Sequence, residues 1–274
     1  MRVLVTGGTG YLGKEVVRNI AKKHEVVVLT RNDYHKNYEI SQGNIHNFAD
    51  VRAAVRGCDA VVHLAVESNH SKPWNEHFRT TVLGTRNVLR ASVGEVDKVV
   101  HMSSMATDAK TRTNYVNAKT EAEKVVKEYW DQIKVPVIKP SSIYDSTRIA
   151  MTSRTSRLPV PRVDTRFRPI FRSTLYECID AALKKGKSQI YQVGDSKVVK
   201  LTDFIKAAAY PRGVVFVPGF LSKLSHFSAR ARFFFEDKVF SHDMKTLDVK
   251  PVHTLKTIFK IKFGDKWKEK WREV

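Results

Sequence analysis

Tyr115 and Lys119 stand four positions apart, with Ser103 and Ser104 shortly before them. On a helix, positions i and i+4 share a face, so the phenol and the ammonium would point the same way. A free phenol titrates near 10, too high for a base at neutral pH, and a cation beside it stabilises the phenolate. Such a pair is equipped to move a proton. Taken alone, Tyr-x-x-x-Lys is a weak pattern that surface helices also carry, so its context decides.

That context begins at the first strand. Thr6-Gly7-Gly8-Thr9-Gly10-Tyr11-Leu12-Gly13 follows Arg2-Val3-Leu4-Val5-Thr6 directly and opens a helix, which places Gly8, Gly10 and Gly13 in the GxGxxG register. Glycine there permits the tight turn, admits a pyrophosphate to the backbone and lets helix and sheet pack closely, while the helix N-terminus offers free N–H groups to the anion. At the end of the second strand, where NAD-selective sites hold an acid for the adenosine ribose, the chain reads Val28-Leu29-Thr30-Arg31-Asn32. An arginine with no acid at Thr30 welcomes a 2′-phosphate, so NADP(H) is favoured over NAD(H), although Asp33 lies close by.

The elements that must position these residues follow a βα rhythm. Strands are expected near 2–6, 25–30, 39–42, 59–64, 98–103 and 135–139, and helices near 11–22, 48–56, 76–93 and 114–132. The order predicts an α/β, Rossmann-type doubly wound parallel sheet in residues 1–145, followed by a smaller, basic C-terminal α/β part, 146–274, interwoven with it. Residues 148–172 carry seven arginines and one acid, Asp164, and read as a long irregular segment. Beyond it a helix is expected near 173–185, a strand near 189–193, a helix near 202–209, an amphipathic stretch near 219–232 and a basic tail with Trp267 and Trp271.

Composition narrows the class. With 274 residues, 42% apolar and 28% charged, the chain is globular, not a disordered tail or a disulfide miniprotein. Lys and Arg exceed Asp and Glu by 20, and residues 138–274 carry +15 of that excess. Cys58 and Cys178 are too far apart in sequence for a CxxC site, and the histidines show neither HxH nor HExxH spacing, so no metal is expected. His63 reads as a packed residue or cofactor wall; Asp180, Asp195 and Asp203 read as caps and surface charge, with no carboxylate pair. No apolar run is long enough to span a membrane, and the strand at residue 2 leaves no room for a leader peptide unless one has already been removed, so the expected address is cytoplasmic.

Taken together, these motifs resemble the short-chain dehydrogenase/reductase superfamily, in particular its extended and atypical NAD(P)-dependent epimerase/dehydratase branch. The Thr6–Gly13 loop is similar to TGxxGxxG; Gly43-Asn44-Ile45 to the element that holds the adenine, with Asn44 for its acid; and His63-Leu64-Ala65-Val66 to the motif beside the cofactor. Thr81-Val82-Leu83-Gly84-Thr85-Arg86-Asn87-Val88-Leu89 resembles NVxGTxNVL, and Val137–Tyr144 resembles the strand with an Arg-Pro turn, here Lys139-Pro140.

The resemblance implies an NAD(P)-dependent oxidoreductase or epimerase working by hydride transfer at a carbinol or carbonyl carbon. Tyr115 would exchange the proton, Lys119 would also bind the nicotinamide ribose, Ser104 would polarise the substrate oxygen, and Ser103 would be a backbone-facing neighbour. Gly7, Gly8, Thr9, Gly10, Tyr11, Leu12, Gly13, Arg31, Asn44, Ile45, Leu64, Ala65, Val66, Tyr115, Lys119 and Pro140 would line the cofactor. Eleven positions separate Ser104 from Tyr115, fewer than extended members usually have. The substrate would be a small molecule, and arginines in 148–172 would grip an anionic one such as a nucleotide-sugar. Family members often form a homodimer through helices matching 76–93 and 114–132. Some similarity to the nucleotide-binding accessory subunit of respiratory complex I, at Tyr115–Lys119, Lys139–Ser142, Phe216–Phe227 and Asp243–Lys245, implies a second reading: a non-catalytic NADPH scaffold. Its basic half would face an acidic protein or an anionic membrane surface. Nucleic acid is disfavoured, because no basic helix with aromatic interleaving occurs.

Overall fold

A computed structural model describes residues 1–32, 38–155, 160–161, 165–210, 216–217, 244 and 246–272. Strands β1 (Arg2–Thr6), β2 (Glu25–Thr30), β3 (Glu39–Gln42), β4 (Ala60–His63), β5 (Lys98–Met102), β6 (Val137–Pro140) and β7 (Ile190–Val193) form one sheet in the order β7-β6-β5-β4-β1-β2-β3. Every neighbouring pair is parallel, with Val5 level with Val28 on one side and Val62 on the other. The order reverses between β1 and β4, and in such sheets ligands bind beyond the carboxyl ends of the strands at that reversal.

Successive side chains of a strand point to opposite faces, and the β-branched runs of this chain exploit that twice. Val3, Val5, Val26 and Val28 face α1 (Gly13–Ile20) and α7 (Arg172–Lys185), packing with Val16, Val17, Ile20, Leu175 and Ile179. Leu4, Val27 and Leu29 face α2 (Phe48–Val55), α4 (Gly84–Ser92) and α5 (Asn114–Glu128), packing with Val51, Val55, Leu89, Ala118 and Val125. Each such fully buried aliphatic side chain contributes about 1.5–3 kcal/mol, so the sheet's middle is the rigid base from which the loops project.

The expected helix near 76–93 is three pieces: α3 (Trp74–His77), a π-helical stretch Phe78–Leu83, and α4. The widened turn buries Thr81, whose hydroxyl accepts the Glu67 N–H at 3.3 Å, and π-bulges of this kind gather at functional sites. Helix α5 starts at Thr113, whose hydroxyl caps the Val116 N–H, and ends at Glu128, short of the expected 132.

The segment expected to be irregular opens with α6 (Ser146–Thr155). Its arginines hid the helix, because Asp145 accepts the Arg148 N–H at 2.8 Å and so caps it from outside the run. Helices α8 (Leu201–Ala209), α9 (Thr254–Phe263) and α10 (Trp267–Arg272) complete a smaller cluster built on Tyr144, Ile149, Phe167, Phe204, Ile258 and Phe259. The basic tail is thus helical, and Trp267 packs against this cluster beneath Lys260. The amphipathic stretch near 219–232, together with Asp243 and Lys245, lies outside the described residues. Among the described residues no helix is long and apolar enough to cross a membrane.

Candidate active site

A cleft of about 1090 Å³ opens at the carboxyl ends of the strands, where the strand order reverses. The glycine loop forms its floor. Gly7 has φ +71°, and a Cβ there would lie 2.7 Å from the Ala65 nitrogen, so loop and β4 end meet backbone to backbone. A Cβ on Gly13 would fall 2.0 Å from the Gly7 carbonyl oxygen, which is why α1 can start this close to the turn. Gly8 lies beneath the loop against Val28 and Val17, and among the expected cofactor residues it does not line the cleft, whereas the others do. A cradle that any side chain would fill, open to a cleft of this size, fits a dinucleotide pyrophosphate.

Beyond the end of β2 a second set of contacts shapes the cleft. Gly84 lets α4 approach Ile45, since a Cβ there would sit 3.1 Å from the Ile45 side chain, and Asn87 donates to the Ile45 carbonyl at 2.9 Å. The GTxN pattern of α4 is thereby explained as an anchor for the Asn44-Ile45 loop. Asn44 accepts the His46 N–H at 3.0 Å through its side-chain oxygen, closing an Asx turn. Arg31 is exposed on the cleft wall just after β2, and burial with the charges of Arg79 and Arg31 lowers the pKa of His46. Three basic residues therefore surround this end; His46 and Arg79 carried no sequence signal, because only the fold brings residues from three segments together. Asp33 lies outside the described residues.

His63 is a packed residue behind the cleft, buried and in a defined protonation state. Thr85 donates its hydroxyl to the Thr81 carbonyl at 2.6 Å, so it must accept from His63 Nε2 at 2.9 Å, leaving His63 Nδ1 to accept from Thr6 at 2.7 Å. Burial, with Lys119 nearby, pushes the His63 pKa down to about 3, consistent with this neutral tautomer.

Ser104, Tyr115 and Lys119 line the same cleft as the glycine loop. Burial raises the pKa of the Tyr115 phenol, opposed by the Ser104 hydroxyl. Lys119 is 3% exposed, donates to the Met102 carbonyl at 2.6 Å, and is pushed down to about 8 by burial against the opposing pull of Glu123. His70, which the sequence reading did not single out, stacks on the Tyr115 ring at 4.7 Å and lines the cleft. Ser103 does not serve the backbone as expected: its hydroxyl donates to Glu123, one helical turn beyond Lys119.

The arginines of 148–172 divide. Arg172 is locked to Glu15 at 2.6 Å and Asp145 at 2.7 Å, and Arg168 donates to the carbonyls of Asp195 and Ser196 at 2.9 and 3.2 Å. These two are structural; Arg148 donates to the Ile143 carbonyl at 3.0 Å and is exposed on the cleft wall, 4.8 Å over the Tyr11 ring. Asp195, expected at the surface, is fully buried, accepting from Tyr144 at 2.7 Å, Thr254 at 2.8 Å and the Phe171 N–H at 3.1 Å. Its sequence neighbours Gly194 and Ser196 hid this, because the partners that bury it come from three distant segments.

The family model described as the NAD dependent epimerase/dehydratase family matches residues 3–148. The chain is 33% identical to 2-alkyl-3-oxoalkanoate reductase of Stenotrophomonas maltophilia over 33% of the chain and 29% of that protein, and so matches under a third of the reductase's length. It is 23% identical to human dTDP-D-glucose 4,6-dehydratase over 75% of the chain and 72% of that protein. The structure of UDP-glucose 4-epimerase from Thermotoga maritima, solved with UDP-glucose, superposes with a TM-score of 0.77 at 17% identity, covering 99% of this chain and 100% of that one, a likeness of fold.

Proposed function

Because the chain belongs to the NAD dependent epimerase/dehydratase family, we propose that it is an NAD(P)-dependent oxidoreductase or epimerase acting at a carbinol or carbonyl carbon. One observation carries the reading: the glycine cradle and the Ser104, Tyr115 and Lys119 side chains line a single cleft. The loop Gly7–Gly13 would hold the dinucleotide pyrophosphate, Asn44 and Ile45 its adenine side, and Leu64, Ala65, Val66 and Pro140 the walls. Bound there, the nicotinamide supplies hydride transfer to or from the substrate carbon.

Tyr115 passes the proton to or from the substrate oxygen, and Ser104, which lines the same cleft, shares that oxygen and holds it in line. Lys119, charged below its pKa of about 8, favours the phenolate and binds the ribose. Arg31, with His46 and Arg79 beside it and no acid at Thr30, supports NADP(H) over NAD(H). Arg148 on the cleft wall supports an anionic substrate, and a nucleotide-sugar matches the names of the human and Thermotoga maritima proteins. The non-catalytic scaffold is not favoured, because the matching family and neighbours are enzymes.

The test is a titration of the protein with NADPH and NADH by nicotinamide fluorescence, followed by turnover of a nucleotide-sugar panel. Conversion of one sugar, lost by a factor of at least about 100 in Tyr115→Phe while cofactor affinity stays within about threefold, is expected for a general acid–base role. Undiminished turnover in Tyr115→Phe would remove the catalytic assignment.

A further inference from the structure

Tyr115, Lys119 and Glu123 follow one another at four-residue steps on α5 and so share its inward face. The Glu123 side chain is 11% exposed, and its Oε1 accepts from the Ser103 hydroxyl and from the Thr107 hydroxyl at 3.1 Å, with the Lys139 ammonium paired to it at 3.6 Å. Lys139, 4% exposed on β6, reaches onward to Asp108 at 2.7 Å, and Asp108 also accepts from Gln192 of β7 at 3.1 Å. Ser103, Thr107 and Asp108 bracket the short 3-10 turn Met105–Asp108 that follows Ser104. Ser104 is therefore presented by a turn tied at three points to α5 and β6.

A buried ion pair is weak support for stability, since desolvating both charges offsets most of their attraction. What this network does supply is geometry. Only eleven positions join Ser104 to Tyr115, and both line the one cleft, so a shift of the 103–108 turn would directly change where the Ser104 hydroxyl stands against the phenol. It also supplies charge. The groups that face Lys119 are His63 on β4 and His101 on β5, both kept neutral by burial, with Tyr115 and Glu123 on its own helix. Among the described residues Glu123 is the carboxylate that acts on Lys119, and Lys139 draws on the same carboxylate from the other side.

We infer that Glu123 is a positioning residue: it holds the Ser103–Asp108 turn, and with it Ser104, against Tyr115, while lending its charge to Lys119 and sharing it with Lys139. The inference rests on the reading of the cleft as an NAD(P)-dependent Tyr115/Lys119 site. Its consequence is that the two neighbours of the carboxylate are opposed. Removing the charge of Glu123 makes the Lys119 ammonium easier to deprotonate; removing the charge of Lys139 makes it harder.

The experiment is the affinity of the full chain for NADPH as a function of pH, read by nicotinamide fluorescence, in wild type, Lys119→Met, Glu123→Gln and Lys139→Gln, with thermal melts as a folding control. Glutamine at 123 keeps an acceptor for Ser103 and Thr107 and removes only the charge. The wild-type affinity is expected to break in the alkaline range with the ionisation of Lys119, and Lys119→Met to abolish the break. Glu123→Gln should move it down by about one pH unit, and Lys139→Gln should move it up. A break that stays put in both variants, or moves the same way in both, overturns the role of Glu123 and leaves the cofactor site standing. Should Glu123→Gln fail to fold, Glu123→Asp decides: it keeps the charge, so the break should stay within about half a pH unit of wild type, and a break that falls by a full unit with the charge still present overturns the role of Glu123. Absence of NADPH binding in wild type, or a break that survives in Lys119→Met, overturns both the site reading and the inference built on it.

Discussion

Lys119 Nζ donates to the carbonyl oxygen of Met102 at 2.6 Å, so the ammonium of helix α5 is fastened to the end of strand β5 and buried there. A buried cation with one carbonyl and a shared carboxylate is poorly compensated, which is why burial brings its pKa from 10.5 down to about 8. Between these values the unfolded chain binds more protons than the folded one, so stability rises with pH across the window from 8 to 10.5, and the full penalty is present below 8.

Lys119→Met should therefore make the protein more stable at neutral pH while removing its proposed activity. The shift corresponds to about 3 kcal/mol, of which the lost hydrogen bond returns about 1. Urea denaturation at pH 7 and at pH 10 checks this: the advantage of the methionine variant should be near 2 kcal/mol at the lower pH and shrink at the higher. A variant less stable than wild type at pH 7 would mean that the ammonium is a net stabiliser.

Two glycines separate ligand contact from backbone strain. Gly13→Ala would drive a Cβ to 2.0 Å from the Gly7 carbonyl oxygen, whereas Gly57, with φ +72°, has nothing within 4 Å of its would-be Cβ. Gly57→Ala should cost about 1 kcal/mol and leave NADPH affinity unchanged. Gly13→Ala should abolish measurable NADPH binding as the loop opens, and a retained affinity within threefold would show that the cradle does not hold the pyrophosphate.

How much of this could be read from residues alone depended on where the partners lay. The seven strands follow runs such as Glu25–Thr30 and Lys98–Met102, whose β-branched composition is a local property, and the glycine loop is local too. Tyr115, Lys119 and Ser104 were legible because spacing on one helix and one strand end is nearly a structural statement. Glu123, Lys139 and Asp195 were not, since each owes its importance to contacts sixteen or more residues away, Ser103 to Glu123 and Tyr144 to Asp195 among them. The helix at Ser146–Thr155 is hidden for a different reason: arginine is a good helix former, yet a dense run of it has the composition of a solvated loop.

Arg31 offers a test of cofactor choice that does not need the substrate. Arg31→Glu reverses the charge beside Thr30, where an acid would accept the ribose hydroxyls and repel a 2′-phosphate. The ratio of NADPH to NADH affinity should fall by at least about tenfold, since a charge-assisted contact to phosphate is worth 1.5–3 kcal/mol. A ratio that does not move would place the 2′-phosphate, if one is bound, against His46 or Arg79 instead.

Asp195 joins the smaller cluster to the sheet by accepting the hydroxyls of Tyr144 and Thr254, and it does so fully buried. Burial raises its pKa from 3.8 to about 6, although Tyr144, Thr254, the Phe171 N–H and Arg168 all favour the anion. Between pH 3.8 and 6 the folded state holds a proton that the unfolded state has released, so this group's contribution falls as pH rises through that window and stays low above it. Asp195→Asn never ionises, and its carbonyl still accepts from both hydroxyls, but its amide faces the Phe171 N–H and loses that bond. The variant should be the weaker protein at pH 4, by about 1 kcal/mol for the lost bond. It should gain about 3 kcal/mol relative to wild type on going to pH 7, as the wild-type carboxylate ionises in place. Denaturant midpoints of the two proteins across pH 4 to 7 read that difference directly, and parallel curves would show that Asp195 titrates like an exposed carboxylate.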